Sequence, residues 1–157
     1  MENWKVHQID VSNAFLHGFI NEDVYMAQPP GYTHPTLPNA VCKLHKALYG
    51  LKQAPRAWFS RLSNWLLNLN FTASKSDSSL FLCRKNGVII YVLIYVDDII
   101  ITSSHEDAIS KLIIDQNSFA INDLGQLHFL GVAATWIVDG LYLSQQGTYM
   151  TYCPRPM

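Results

Sequence analysis

The sequence predicts an α+β fold, an antiparallel sheet with helices on one face. Strand-like and helix-like segments follow one another in the order strand, helix, strand pair, helix, strands. Asn86-Gly87 lies between two apolar runs and is typical of a two-residue hairpin, which favours antiparallel pairing. The chain has 157 residues, 49% hydrophobic and 15% charged, which suits a single domain over 1–157 with a substantial core.

The first part of the chain is predicted to be mostly extended. Trp4 to Phe15 mixes β-forming residues with polar ones and runs into a turn. Val24 to Met26 and Val41 to Leu44 are two further extended pieces. The prolines between them, from Pro29 to Pro38, predict an irregular loop because proline excludes regular helix and removes a backbone donor.

The clearest predicted helix runs from Pro55 to Asn70. Pro55 suits the first turn of a helix, and Asn70 can adopt the left-handed conformation that ends one. Arg56 lies off the apolar face and can point toward a ligand. The apolar face itself consists of residues at helical spacing, namely Trp58, Leu62, Trp65, Leu66 and Leu69.

The second half of the chain is predicted to contain the central strand. Val88 to Val96 is nearly all β-branched or aromatic, so we expect it to be covered on both faces. Asp97-Asp98 interrupts this strand, Ile99 to Thr102 resumes it, and Ser104 begins a second helix. The other predicted strands are Ser79 to Arg84 and a closing pair, Leu127 to Val132 and Gly140 to Ser144.

The composition excludes several classes of protein. The three cysteines lie far apart with no C-x-x-C pair, which argues against a disulfide framework or a structural zinc site. The N-terminus is too polar for a signal peptide. The longest apolar stretch, Val88 to Val96, is shorter than the ~18 residues that a membrane span requires. We therefore expect an intracellular protein without a membrane partner.

The charges are distributed unevenly around a net charge of −1. From Lys43 to Lys85, eight basic residues and one acid give a net charge of +7, whereas Asp97 to Asp139 carries −6. A basic surface and an acidic one are typical of a polyanion-binding protein with a divalent-metal site. Two solvated faces of opposite sign are the alternative explanation.

Three acids are placed where metal chemistry is plausible. Asp97-Asp98 lies between two apolar runs, and a tight turn would lift both carboxylates onto the rim of the sheet instead of burying them. An ordinary Asp-Asp β-turn is the alternative. Asp10 follows another apolar-patterned strand and would meet Asp97 if the two strands are neighbours. Carboxylates so placed could hold two Mg²⁺ ions ~3.5–4 Å apart, as nucleotidyl transfer requires.

Four motifs then occur in a fixed order along the chain. They are QIDVSNAFLHG at Gln8 to Gly18, VYMAQPPG at Val24 to Gly31, LYGLKQAPRAW at Leu48 to Trp58 and YVDD at Tyr95 to Asp98. Together they resemble the reverse transcriptase of Ty1/copia-type long-terminal-repeat retrotransposons, a part of the Pol polyprotein. The resemblance covers residues 4–145 and leaves 146–157 as a divergent tail. It implies a ferredoxin-like polymerase palm with partial fingers and no thumb.

The resemblance also implies the activity, an RNA-directed DNA polymerase using two-metal nucleotidyl transfer. Asp10, Asp97 and Asp98 match its catalytic, metal-binding aspartates, with two Mg²⁺ ions as cofactor and Mn²⁺ as a possible substitute. The residues implied to bind the nucleotide are Val11, Phe15, Tyr49 and Gly50. The Phe15 ring would exclude a ribose 2′-hydroxyl, with core packing as the alternative explanation for this residue.

Template and primer contacts are implied as well. The stretch that borders the template comprises Lys52, Gln53, Pro55 and Arg56, and ordinary solvated surface is the alternative for the basic residues. Tyr95 would lie near the primer end. Phe129-Leu130-Gly131 resembles the strand pair that grips the primer terminus. That segment is one residue shorter than the family pattern, and in a strand such a deletion turns every later side chain to the other face.

The implied partners are an RNA or DNA template-primer duplex and deoxynucleoside triphosphates, in a cytoplasmic particle or the nucleus. The chain starts nine residues before Asp10 and ends among prolines. We therefore expect it to be an incomplete or inactive piece that depends on a homodimer or on missing polyprotein domains. One alternative is a non-catalytic nucleic-acid-binding remnant that uses the +7 segment. Another is a phosphoacceptor module, which would require alternating parallel strands and helices.

Overall fold

The computed structural model describes residues 4–114, 119, 121–124, 127–129, 132–137 and 140–145. These residues form an α+β fold in which every strand pair is antiparallel, as the sequence predicts. The chain divides into two compact units. We call Met1–Ser12 with Leu66–Met157 the sheet unit and Asn13–Trp65 the insert unit. The single domain predicted over 1–157 stays a prediction.

The sheet unit is built on a six-stranded sheet. Its strands are β1 (Val6–Val11), β4 (Thr72–Ala73), β5 (Leu80–Lys85), β6 (Val88–Tyr95), β7 (Asp98–Ser103) and β8 (Ile121–Asp123), in the spatial order β4-β5-β6-β7-β1-β8. Helix α2 (Glu106–Ile114) packs against β6 and β7. A second sheet has the order β11-β10-β9, formed by Leu127–Phe129 (β9), Val132–Ile137 (β10) and Gly140–Ser144 (β11).

One face of the six-stranded sheet forms the core of this unit. Alternation along each strand places apolar side chains on that face, and the buried ones include Ile9, Val11, Phe81, Val92, Ile94, Ile99 and Ile101. The expectation that Val88 to Val96 is covered on both faces was wrong. Only Val92 and Ile94 of β6 are buried, whereas Leu93 and the residues from Val88 to Tyr91 are half-buried and Tyr95 is exposed. The strand is central in order but is fully covered on one face alone.

Two turns follow the predicted chemistry, and two elements differ from expectation. Asn86 and Gly87 have φ values of 51° and 79°, and Asn70 has a φ of 65° at the end of its helix. The turn after β6 is centred on Val96 and Asp97, so that Asp98 already begins β7. The predicted closing pair of strands is a set of three, because β10 lies between β9 and β11.

The insert unit contains a 3₁₀ helix (Ala14–His17), β2 (Phe19–Ala27) and β3 (Val41–Lys46). Helix α1 (Ala54–Asn68) begins here and continues past the boundary at Trp65. Its predicted apolar face is buried at Trp58, Leu62 and Leu66. Strand β2 is longer than the predicted Val24 to Met26. A register shift interrupts its pairing with β3 between Phe19 and Val24.

The proline-containing loop after β2 is irregular, as predicted, and one side chain organises it. The amide of Gln28 donates to the carbonyl oxygens of Leu37, Pro38 and Ala40 at 2.8, 3.2 and 2.8 Å, and its oxygen accepts from the backbone N–H of His34. Neither helix in the described part of the chain combines the length and apolar character needed to cross a lipid bilayer.

Candidate active site

Four side chains form a row across neighbouring strands at one end of the six-stranded sheet. Tyr95 of β6 is the register partner of Asp98 of β7, Asp98 is opposite Asp10 of β1, and Asp10 is opposite Asn122 of β8. Residues directly opposite each other project from the same face of a sheet. We call these four residues the carboxylate row. The structure therefore brings Asp10 and Asp98 together, although 88 positions separate them in the sequence.

Asp97 lies next to this row in the turn between β6 and β7. Its backbone carbonyl accepts a hydrogen bond from the N–H of Val11 at 3.1 Å, which joins the turn to the end of β1. Val96 precedes it with a φ of 57°, a conformation that a β-branched residue rarely adopts. Strained backbone of this kind persists where the surrounding structure enforces it and is frequent at functional sites. The turn thus holds Asp97 beside the row at a conformational cost.

The carboxylate row is only partly exposed to solvent. Asp10, Asp97 and Asp98 are all half-buried, whereas Tyr95 is 50% exposed. The Asp98 Oδ1 atom accepts a hydrogen bond from the Gln8 Nε2 atom at 2.9 Å. Asn122 donates from Nδ2 to the Ser12 hydroxyl at 2.8 Å. The hydrogen bond from Gln8 therefore supports Asp98, whereas the bond of Asn122 is made to Ser12.

The three carboxylates are oxygen donors of the kind that Mg²⁺ and Mn²⁺ take. In the conformation observed, the described residues include no group of three or more His, Cys, Asp or Glu side chains arranged to hold a metal ion. Two of the three acids are opposite each other in the sheet and the third is adjacent to one of them in sequence. The row therefore contains oxygen donors of the kind that a hard cation takes.

Val11 differs from its neighbours in the candidate site. Its side chain is 1% exposed and belongs to the core face, and its N–H is bonded to the turn. A side-chain contact with a nucleotide is not available in this conformation. The nucleotide-binding role implied for Val11 stays a prediction.

The insert unit brings two other predicted residues together. The rings of Phe15 and Tyr49 lie with their centroids 4.5 Å apart at an interplanar angle of 48°, a separation typical of favourable aromatic pairs. Phe15 is half-buried and Tyr49 is 55% exposed. Gly50 follows with a φ of 92°, so its backbone conformation favours glycine.

The segment after the 3₁₀ helix is packed directly against helix α1. A β-carbon added to Gly18 would lie 2.8 Å from the backbone nitrogen of Trp58 and 2.9 Å from the carbonyl carbon of Ala57. The Gly18 carbonyl accepts from the N–H of Ala47 at 2.9 Å. The His17 ring lies 5.9 Å from that of Trp58. This close approach fixes the path of the chain that leads away from Phe15.

The template-binding candidates lie at the start of helix α1. Lys52, Pro55 and Arg56 are exposed and Gln53 is half-buried, with its carbonyl accepting from the N–H of Ala57 at 2.9 Å. The two basic side chains are thus available to a polyanion. Of the primer-grip candidates, Phe129 is in β9, where its backbone pairs with Val132. Leu130 and Gly131 lie outside the described residues.

Sequence reasoning missed Gln8 and Asn122. Gln8 is two residues before Asp10, and the two-residue period of a strand was a sufficient signal to place it on the same face. Asn122 gave no comparable signal, because its position depends on the pairing of β8 with β1.

Comparison with known proteins identifies the family of this chain. The family described as reverse transcriptase (RNA-dependent DNA polymerase) matches residues 1–152, and the chain belongs to that family. It is 48% identical to the retrovirus-related Pol polyprotein from transposon RE1 of Arabidopsis thaliana and 46% identical to that from transposon RE2 of the same plant. Each match covers 92% of this chain and 10% of the relative.

A third relative is more distant in sequence. The Pol polyprotein from transposon TNT 1-94 of Nicotiana tabacum is 41% identical over 77% of this chain and 9% of its own length. The resemblance to copia-type reverse transcriptases is thereby confirmed. The chain spans about a tenth of the length of these three relatives.

Proposed function

We propose that this chain carries the catalytic carboxylates of an RNA-directed DNA polymerase, which extends a primer with deoxynucleotides. The observation that carries the proposal is the opposition of Asp10 and Asp98 in adjacent strands, with Asp97 in the turn beside them. Membership of the reverse transcriptase family supports the class of reaction. The six-stranded sheet would be the core of a ferredoxin-like polymerase palm.

The donor set suits hard divalent cations. Asp10, Asp97 and Asp98 would hold two Mg²⁺ ions, with Mn²⁺ as a substitute. Ions held there would supply activation of the attacking primer oxygen and stabilisation of the leaving pyrophosphate. The strands contribute rigidity, because both acids of the facing pair belong to a sheet and not to a loop.

The aromatic pair of the insert unit would select the sugar of the incoming nucleotide. A ring in contact with a second ring loses rotational freedom, so Phe15 beside Tyr49 suits a steric barrier against a 2′-hydroxyl. The glycine conformation at Gly50 keeps the turn after Tyr49 tight. Gly50 would then contact the nucleotide through its backbone.

The template-primer duplex, of RNA or DNA, would be bound without sequence preference. Exposed Lys52 and Arg56 suit contacts with backbone phosphates, next to Gln53 and Pro55. Tyr95, at the exposed end of the carboxylate row, would lie near the primer terminus, which Phe129-Leu130-Gly131 would grip. Because the chain spans about a tenth of its relatives, we expect low activity from it without the remaining polyprotein or a second copy.

The direct test is primer extension on an RNA template with Mg²⁺ or Mn²⁺. Asp97→Asn removes one ligand charge and is expected to lower the rate about 10³-fold, since each metal contributes several kcal/mol to the transition state. Asp107→Asn makes the same charge change at an exposed position of α2 and serves as the control. Extension that survives Asp97→Asn unchanged would contradict the proposal.

A non-catalytic nucleic-acid-binding remnant is the second candidate, favoured by the +7 charge between Lys43 and Lys85. This candidate predicts no extension at any protein concentration and an affinity for RNA that falls as salt rises. It also predicts that Asp10→Ala leaves that affinity unchanged. An affinity insensitive to salt would exclude it.

A further inference from the structure

Gln8 is a buried polar residue without a role in the proposed chemistry. Its side chain is 2% exposed, and among the described residues only Gln8 and Ser103 are both polar and buried. A buried amide is costly unless it is hydrogen-bonded, so the partner of Gln8 is informative.

The bond that Gln8 makes leads directly to the carboxylate row. Its Nε2 atom donates to the Asp98 Oδ1 atom at 2.9 Å, across the diagonal between β1 and β7. Gln8 is opposite Ile100 in the register, and Asp10 is opposite Asp98. Gln8 therefore lies two residues before Asp10 in β1, and its side chain donates a hydrogen bond to Asp98 in β7.

The chemistry of an amide suits this position. Asp98 follows directly after the turn and is half-buried, so its carboxylate has room to rotate. A neutral N–H donor fixes that rotation without adding a positive charge, which would repel a cation. A bond to Oδ1 directs the carboxylate and would leave Oδ2 for a ligand.

We propose that Gln8 is a positioning residue, which orients the Asp98 carboxylate so that it and Asp10 can hold a divalent cation together. This inference rests on the proposed function, because it requires that the carboxylate row binds metal. Residues that orient a metal ligand typically change metal affinity 10–100-fold when they are replaced. Gln8 is expected to act in that range.

The experiment measures Mn²⁺ binding by electron paramagnetic resonance, which counts free Mn²⁺ without requiring polymerase activity. Gln8→Met keeps the length of the side chain and removes the donor, and it is expected to raise the dissociation constant for Mn²⁺ about tenfold. Gln28→Met is the matched control, because it makes the same replacement in the loop of the insert unit. It is expected to leave Mn²⁺ binding unchanged.

A double-mutant cycle separates positioning from a general structural effect. In an Asp98→Asn background, Gln8→Met is expected to change Mn²⁺ affinity less than twofold, since the carboxylate that it orients is absent. A tenfold loss in that background would overturn the positioning role. Equal binding by the wild type and Gln8→Met would overturn it as well and leave the proposed function intact. Absence of any Mn²⁺ binding that depends on Asp10 would overturn both.

If Gln8→Met folds poorly, the hydrogen bond can be tested by nuclear magnetic resonance without metal and with Gln8 in place. The side-chain amide protons of Gln8 in the folded chain are expected to shift by several tenths of a part per million in Asp98→Asn. No shift of those two protons would contradict the hydrogen bond on which the inference stands.

Discussion

The sheet unit and the insert unit hold their candidate functional residues by different means. In the sheet unit, backbone register brings Asp10 opposite Asp98, and a ladder of hydrogen bonds fixes the pair. In the insert unit, Phe15 and Tyr49 meet through side-chain contact, at the end of a 3₁₀ helix and in a turn. The first arrangement tolerates changes in side-chain packing. The second depends on close contacts, such as the approach of Gly18 to helix α1.

Among the substitutions that we predict, Gly18→Ala in the insert unit is expected to cause the largest loss of stability. The φ of Gly18 is −73°, which any residue adopts, so the effect is steric alone. The new methyl group would meet backbone atoms of Ala57 and Trp58, which cannot move independently of the helix. We expect a loss of about 1–3 kcal/mol in the free energy of unfolding, measured with denaturant.

Gly87→Ala is the control for that substitution. Gly87 has a φ of 79°, and nothing lies within 4 Å of an added β-carbon. Gly87→Ala therefore has a conformational cost of about 1 kcal/mol but introduces no clash. Hydrogen exchange is expected to rise over residues 13–65 for Gly18→Ala and around the β5–β6 hairpin for Gly87→Ala. If both variants raise hydrogen exchange in the same region, the proposed difference between the two units is contradicted.

A smaller effect is expected at Val96. Replacing it with glycine relieves a positive φ at a β-branched residue and adds chain entropy to the unfolded state. The two effects offset each other, and we expect the free energy of unfolding to change by less than about 1 kcal/mol. Affinity for Mn²⁺ is expected to fall, because the turn that holds Asp97 loosens.

Val88→Gly, at the other end of β6, is the control for the turn. It is expected to lower stability without a specific loss of Mn²⁺ affinity. A Val96→Gly chain that binds Mn²⁺ as tightly as the wild type would show that the strained turn has no part in the site.

The smallest effect concerns the ion pair between Lys5 and Glu106. The hydrogen bond from Lys5, at 2.7 Å, lowers the pKa of Glu106 below its usual 4.5. The ion pair therefore stabilises the fold above about pH 4.5, and this stabilisation is lost as the pH falls through the lowered pKa of Glu106. Lys5→Met is expected to be slightly less stable than the wild type at neutral pH, and the difference shrinks in acid.

Lys85→Met removes a lysine from the exposed end of β5 and is the control for this pH dependence. Thermal unfolding from pH 3 to 7 measures both variants. A stability gap for Lys5→Met that grows on acidification would contradict the assignment.

The sequence predicted the convergence of Asp10 with Asp97-Asp98 because each acid follows an apolar strand, and buried strands leave charged residues at their ends. The sequence analysis put the turn between β6 and β7 at Asp97-Asp98, one residue too late. The observed turn is centred on Val96 and Asp97, and a valine at positive φ is not expected from sequence. The bond from Gln8 to Asp98 is diagonal across two strands and depends on their register. The bonds of Gln28 depend on loop geometry that no periodicity describes.

The central claim is that the carboxylate row binds a divalent cation, and paramagnetic broadening by Mn²⁺ in an isotope-labelled sample tests it most directly. The account predicts that substoichiometric Mn²⁺ broadens the amide signals of Asp10, Val11, Asp97 and Asp98 first, and that Asp10→Asn removes this selectivity. Broadening centred on the exposed pair Glu22 and Asp23, or spread evenly over all acids, would contradict it.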